Sequence, residues 1–289
     1  MTHVDDALAR IGCLIGKPPG WERVVRTLAP PSRFVGGALR QKPIAEGYVF
    51  PVDRGTLIGW NVHFFGTYEP EVRAQITRWL APGATAIDVG ANVGWHALLM
   101  GALVGPGGRV HAFEPNDSTR SRLQAAIDAN HLTQITVDPR ALSDRAGTAR
   151  FQAPQAGEVW DGTGRLTSAP ADGQPPGPSV ECATLDAFVA EHGIDRLAFI
   201  KIDVEGWELS VLRGARRTLE TLGPAIVFEY DPAYVARCGG SGADLTACLA
   251  DAGYLLFTLD RRRAPLALPR LAERGGNVLA VPRHRVAAT

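Results

Sequence analysis

The chain has 289 residues, 45% hydrophobic and 21% charged, with a formal net charge of zero. That is ordinary globular composition, long enough for a substantial core in one large or two small domains. The neutral balance argues against a broad electrostatic grip on nucleic acid, and no apolar run reaches the roughly 18 residues of a membrane span. The N-terminal MTHVDDALAR carries two acids and no apolar signal region. The expectation is a soluble cytoplasmic protein with neither nucleic acid nor membrane as partner. Cys13, Cys182, Cys238 and Cys248 are too far apart for a zinc site or a disulfide framework and read as buried reduced thiols.

In chain order, residues 1–66 read as an α+β appendage. A helix is expected over Val4 to Ile15, broken by the PPG at Pro18 to Gly20, and a second over Trp21 to Leu28, ended by Pro30 and Pro31. YVFPVDRGTLIGWNVHFF, residues 48–65, reads as a hairpin with DRG at its turn. From residue 67 to 289 the pattern becomes that of one domain. Glu71 to Leu80 is amphipathic, with Val72, Ile76, Trp79 and Leu80 on one side. TAIDVG is a strand, WHALLMGALVG a helix, RVHAFEP a strand, SRLQAAIDANH a helix and QITVDPRAL a strand. TLDAFVAEHG is a helix with Gly193 just past its end, LAFIKIDVEG a strand, and ELSVLRGARRTLETLG one helix. PAIVFEYDP, YLLFTLD and NVLAVPR are strands, with the helix DLTACLADAG after the first of them. Alternating strands and helices predict an α/β fold, a mostly parallel sheet with helices on both faces. Gln152 to Ser179, rich in Gly, Pro and Ala, interrupts the alternation as a surface loop or a lid over the substrate.

Two segments carry chemistry. AIDVGANVGWH places Asp88, Gly90, Asn92 and Gly94 where a strand turns into a helix, the position at which open parallel sheets bind ligands. RVHAFEP then ends in Glu114, 20 residues after Gly94, where an acid can accept both hydroxyls of a ribose. The loop is G-A-N-V-G rather than G-x-G-x-x-G, and Asp88 opens it. An acid repels a pyrophosphate and attracts the ammonium of a methionine moiety, which favours S-adenosylmethionine over NAD as cofactor.

These segments resemble the FkbM family of S-adenosylmethionine-dependent methyltransferases. TYEPE, AIDVGANVGWH, VHAFEPN, ALSDRAG, TLDAF and FIKIDVEGWELSVLRGA stand in that family's order, covering roughly Thr67 to Tyr230. The resemblance implies a class I methyltransferase (Rossmann-like) fold, a seven-stranded sheet with its last strand antiparallel. It implies that Asp88, Gly90, Asn92 and Gly94 line the methionine and ribose end of the cofactor and that Glu114 holds the ribose. Arg140, Ala141 and Leu142 then lie near the adenine, and Tyr68 and Glu69 close over the methionine end.

The acceptor side rests on IKIDVEGWE. Lys201 and Asp203 share one face of the strand, and Asp203 falls at its carboxyl end, beside the glycine loop. Methyl transfer to a hydroxyl needs a group to take the proton, so Asp203 and Glu205 are the candidate bases, with Lys201 tuning them or serving as their buried ion-pair partner. Glu208 suits the first turn of the next helix. Asp203, Glu205, Glu229 and Asp231 are also ligand types for a hard divalent cation, which leaves the metal question open. His63 and His96 read as packed histidines. The DPAY at Asp231 to Tyr234 departs from the D/N-P-P-Y pattern of base methylation. The reading is an O-methyltransferase acting on a small molecule or glycan, in secondary metabolism. The alternatives are an N-methyltransferase on a peptide-derived product, an NAD-linked oxidoreductase, and a non-catalytic binding protein.

Overall fold

The structure is a computed structural model that describes residues 2–152, 164–167, 177–259, 266–268, 271 and 275–288. The described residues divide into two compact units, one ending at Pro70 and one starting at Glu71.

The first unit holds α1 (Thr2–Ile15), α2 (Trp21–Leu28), β1 (Arg40–Pro43), β2 (Val49–Val52) and α3 (Leu57–Phe65). β1 and β2 form an antiparallel hairpin, Arg40 opposite Val52 and Pro43 opposite Val49. The expected 48–65 hairpin is therefore corrected: only its first half is a strand, and LIGWNVHFF is helical. Thr56 caps α3 by accepting from Gly59 N at 3.1 Å, and Gly66 ends it at φ 77°. Trp60, Phe64 and Phe65 of α3 pack with Leu8, Val25 and Phe34, and the Trp60 indole donates to Ala29 O at 2.7 Å. Cys13 is exposed, against the expectation of a buried thiol.

From Glu71, in the first turn of α4 (Pro70–Trp79), the second unit runs through β3 (Thr85–Val89), α5 (Trp95–Val104), β4 (Arg109–Phe113), α6 (Asp117–Ala129) and β5 (Ile135–Asp138). Four short strands follow: β6 (Ala141–Leu142), β7 (Gly147–Gln152), β8 (Arg165–Thr167) and β9 (Ser179–Ala183). Then come α7 (Leu185–Glu191), β10 (Phe199–Ile202), α8 (Glu208–Arg213), α9 (Arg216–Leu222), β11 (Ala225–Tyr230), α10 (Pro232–Arg237), α11 (Gly242–Asp251), β12 (Tyr254–Thr258), β13 (Leu266–Leu268) and β14 (Gly276–Pro282).

Among the described residues the main sheet has eight strands in the order β13-β12-β14-β11-β10-β3-β4-β5. β11, β10, β3, β4 and β5 are parallel, and β14 runs antiparallel between β11 and β12. The α/β expectation holds, with the short edge strand β13 beyond the seven expected. The chain leaves β3 toward β4 and β5 on one side and returns through β10 to β11 on the other. The switch between β3 and β10 is where parallel sheets leave an opening above their carboxyl ends. Three further readings are corrected. QITVDPRAL breaks at Pro139, and Ala141 and Leu142 join a second sheet, β6-β9-β7-β8. Part of the expected 152–179 loop is strand β8, while 153–163 and 168–176 lie outside the described residues. ELSVLRGARRTLETLG is two helices, because Gly214 lies against Ser143, where a Cβ would meet Ser143 O at 2.0 Å.

Candidate functional site

β3 ends at Val89, and its loop is tied to the neighbouring strand before α5 begins. Gly90 N and Ala91 N both donate to Phe113 O at 3.0 Å. Asn92, at φ 50°, donates its backbone N–H to Glu114 Oε2 at 2.9 Å, and Glu114 Oε1 accepts from Asn116 N at 2.9 Å. Glu114 thus straps the loop to the end of β4, and burial pushes its carboxyl up to about 7 against those two N–H groups. Gly90 and Gly94 are demanded by packing as well as by their positive φ. A Cβ on Gly90 would meet Asp203 O at 1.9 Å, and one on Gly94 would meet Leu123 Cδ1 at 2.5 Å.

Lys201 lies opposite Asp88 in the β10–β3 register. Its Nζ is 3.2 Å from Asp203 Oδ2, 3.3 Å from Gly90 O and 3.7 Å from Asp88 Oδ1. It is buried, which answers why a lysine sits in an apolar strand: it neutralises two carboxylates on adjacent strand ends. Asp88 is fully buried, and among the described residues neither of its oxygens has a hydrogen-bond partner. Burial raises its pKa, and the Lys201 ammonium works against that rise.

The acids expected at the acceptor side converge in part. One carboxylate oxygen each from Asp203, Glu205 and Glu229 lie within 4.8 Å of one another, and all three residues are half-buried. Glu205 sits at φ 54°, an uncommon conformation for a residue with a Cβ. Burial, and then the charges of Asp203, Glu208 and Asp231, push it up to about 7. Asp231 is drawn off to cap α10, accepting from Ala233 N at 2.8 Å and Tyr234 N at 3.1 Å, which explains the DPAY segment. Glu208 does more than begin α8. Its Oε1 accepts from Val204 N and Gly206 N, both at 3.2 Å, and so folds the turn that carries Asp203 and Glu205.

Residues 88–256 match the methyltransferase FkbM domain. The chain belongs to the FkbM methyltransferase family. It is 33% identical over 159 residues to the 31-O-demethyl-FK506 methyltransferase FkbM of Streptomyces tacrolimicus, covering 47% of this chain and 60% of that protein. It is 30% identical over 141 residues to the hexuronic acid methyltransferase AglP of Haloferax volcanii, covering 48% of this chain and 53% of that protein. The chain thus spans between half and two thirds of the length of these relatives. Among solved structures, the methyltransferase FkbM from Methylobacillus flagellatus KT gives a TM-score of 0.45 at 20% identity, over 76% of this chain and 52% of that one.

The cofactor of the FkbM family is S-adenosylmethionine, and the residues present fit it. That molecule brings an ammonium and a sulfonium, and Asp88, whose oxygens have no hydrogen-bond partner among the described residues and only the Lys201 ammonium at 3.7 Å, is an acid that can share a second cation. Each oxygen of Glu114 accepts one N–H and keeps a lone pair for a hydroxyl. Tyr68 and Glu69 fall in the first unit. Arg140 forks onto Asp138 at 2.7 to 3.1 Å and reaches Glu191 at 3.3 Å. Ala141 and Leu142 are buried in β6. His63 is a packed histidine in α3, pushed down to about 4 by burial, and His96 is buried in α5. Trp207 went unremarked in the sequence; its indole N–H bonds Ser143 Oγ at 3.1 Å, and a tryptophan beside the acid turn was the signal for it. No helix among the described residues is long and apolar enough to cross a membrane.

Proposed function

We propose that the protein is an O-methyltransferase acting on a hydroxyl of a small molecule or glycan, with secondary metabolism as its setting. The observation that carries this is the convergence of Asp203, Glu205 and Glu229 at the carboxyl ends of β10 and β11, one strand from the glycine loop. The relatives support the acceptor class, one being named for a hydroxyl of a natural product and the other for hexuronic acid.

S-adenosylmethionine supplies a methyl group on a sulfonium sulfur. Asp88, Gly90, Asn92 and Gly94 hold its methionine and ribose end, and Glu114 accepts from the ribose hydroxyls. Arg140, Ala141 and Leu142 border the adenine. Asp203 or Glu205 takes the proton of the acceptor hydroxyl as the oxygen attacks in line, an effect worth about 10²–10⁴ in rate. Glu205, with its raised pKa near 7, is matched to proton transfer at neutral pH. Lys201 Nζ, 3.2 Å from Asp203 Oδ2, holds that carboxylate in place.

The test is methyl transfer from labelled S-adenosylmethionine to a panel of hydroxyl and amine acceptors, beside calorimetry with S-adenosylmethionine and S-adenosylhomocysteine. Absence of binding to both cofactor forms would sink the proposal, and transfer to amines alone would move it to nitrogen. A second reading draws on the same three oxygens, whose 4.8 Å spread suits a hard divalent cation that polarises the acceptor hydroxyl. Activity that survives exhaustive chelation removes that reading.

A further inference from the structure

Among the described residues, all nine exposed large hydrophobic side chains fall between Val4 and Val49, in the first unit, and the second unit has none. α1 carries the densest run of them. Its core face is fixed: Leu8 and Ala9 pack with Trp60, Phe64 and Phe65, and a Cβ on Gly12 would meet Phe64 O at 2.1 Å. Val4, Ala7, Ile11 and Leu14 line a second face that meets solvent, with Ile15 beside them and Leu14 85% exposed. A surface helix needs one apolar face, the one it lays on its own core, so a second apolar stripe marks a contact with something else.

The spacing of the stripe says what covers it. Positions 4, 7, 11 and 14 step by three and four, which is the narrow seam of a coiled coil. The seam also matches itself. Turned over about a two-fold axis at residue 9, it sets Val4 against Leu14 of a second copy and Ala7 against Ile11, the smaller residue facing the larger in every layer. A lipid surface has no register to match, and a helix built to lie on one carries lysines and arginines along its polar face. α1 instead has Asp5, Asp6 and a single Arg10. A standard interface buries about 800 Å² per partner, a little over half of it apolar. The nine Val, Leu and Ile side chains, 38% to 85% exposed, supply apolar area of that order.

We infer that α1 is a dimerisation helix and that its partner is α1 of a second copy of this chain, packed antiparallel across a two-fold axis. The inference stands apart from the methyltransferase reading. It gives the first unit, which lies outside the FkbM-matched residues 88–256, a role of its own: it holds two chains together. A contact of this kind is isologous and closes on itself, so assembly stops at the dimer.

Sedimentation equilibrium of the full chain at about 50 µM should give a dimer of 30.9 kDa protomers. Ile11→Glu and Leu14→Glu should each weaken association at least a hundredfold, roughly the effect of burying an unpaired charge, and leave monomer at that concentration. Both residues are exposed, so the variants keep the fold, and an unchanged melting temperature checks that they do. Register is read by cross-linking, with Cys13→Ser removing the exposed native thiol. A mixture of Val4→Cys and Leu14→Cys chains should form a disulfide-linked dimer under mild oxidation, and neither chain should do so alone. A monomeric parent, a dimer untouched by both glutamates, or cross-linking between like chains overturns the inference. So does a monomer that sediments with phosphatidylglycerol vesicles, which would make lipid the cover.

Discussion

The ends of β3 and β4 and the ends of β10 and β11 meet at one rim of the sheet, and they are built differently. On the first side nearly every group is tied. Two backbone N–H groups share Phe113 O, Glu114 clasps two more, and a Cβ on Gly90 or Gly94 would strike a neighbour. On the second side three half-buried acids crowd together, one of them in a left-handed conformation. A cofactor that is the same in every turnover can be met by a frozen surface. A proton that must leave an acceptor needs a carboxylate that can take it at neutral pH, and burial, with the charges of Asp203, Glu208 and Asp231, pushes Glu205 up to about 7. Lys201 stands between the sides, touching Gly90 on one and Asp203 on the other.

That contrast can be broken at several points. Lys201→Met removes the cation shared by Asp88 and Asp203, and it should cost about 3–5 kcal/mol of unfolding free energy at pH 8. Urea denaturation measures this, and a loss below about 1 kcal/mol would deny that Lys201 joins the two sides. Asp203→Asn should lower methyl transfer about 10²–10³-fold while S-adenosylhomocysteine affinity stays within about threefold. Unchanged turnover would remove Asp203 as the base. Glu114→Ala acts on the tied side, and should weaken S-adenosylhomocysteine by about 1.5–3 kcal/mol, or roughly 10–150-fold, in calorimetry. Unchanged affinity would take Glu114 out of the cofactor site.

The smallest effect is one of pH. Glu114 titrates near 7, and only its ionised form offers both oxygens to ribose hydroxyls. Cofactor affinity should therefore fall about tenfold between pH 8 and pH 6, as the ionised fraction falls from about nine tenths to one tenth. In Glu114→Gln that dependence should flatten. A profile equally steep in the variant would assign the titration to another group.

The tied side was legible in the sequence, because a glycine turn and an acid one strand later leave marks at fixed spacing. The residues that converge on the other side were named as types, but their meeting was not legible, since it depends on the register of β10 against β11. The helix α3 hid for a different reason. Gly59 through Phe65 are all buried, so LIGWNVHFF has no polar face to betray a helical period. Thr56 and Gly66 at its ends were the readable signs. The break between α8 and α9 follows from Gly214 lying against Ser143, a contact between residues 71 positions apart that no local pattern encodes.

The placement of β14 has a consequence for how the chain is made. β14 pairs with both β11 and β12, with Glu229 opposite Asn277, so β12 reaches the sheet only through a strand synthesised after it. At ribosomal speeds, the 24 residues from Thr258 to Pro282 take roughly one to five seconds. During that interval the nascent chain carries β11 as a bare edge, open to pairing with another chain. The strand that bears Glu229 thus gains its second neighbour only once β14 has been made.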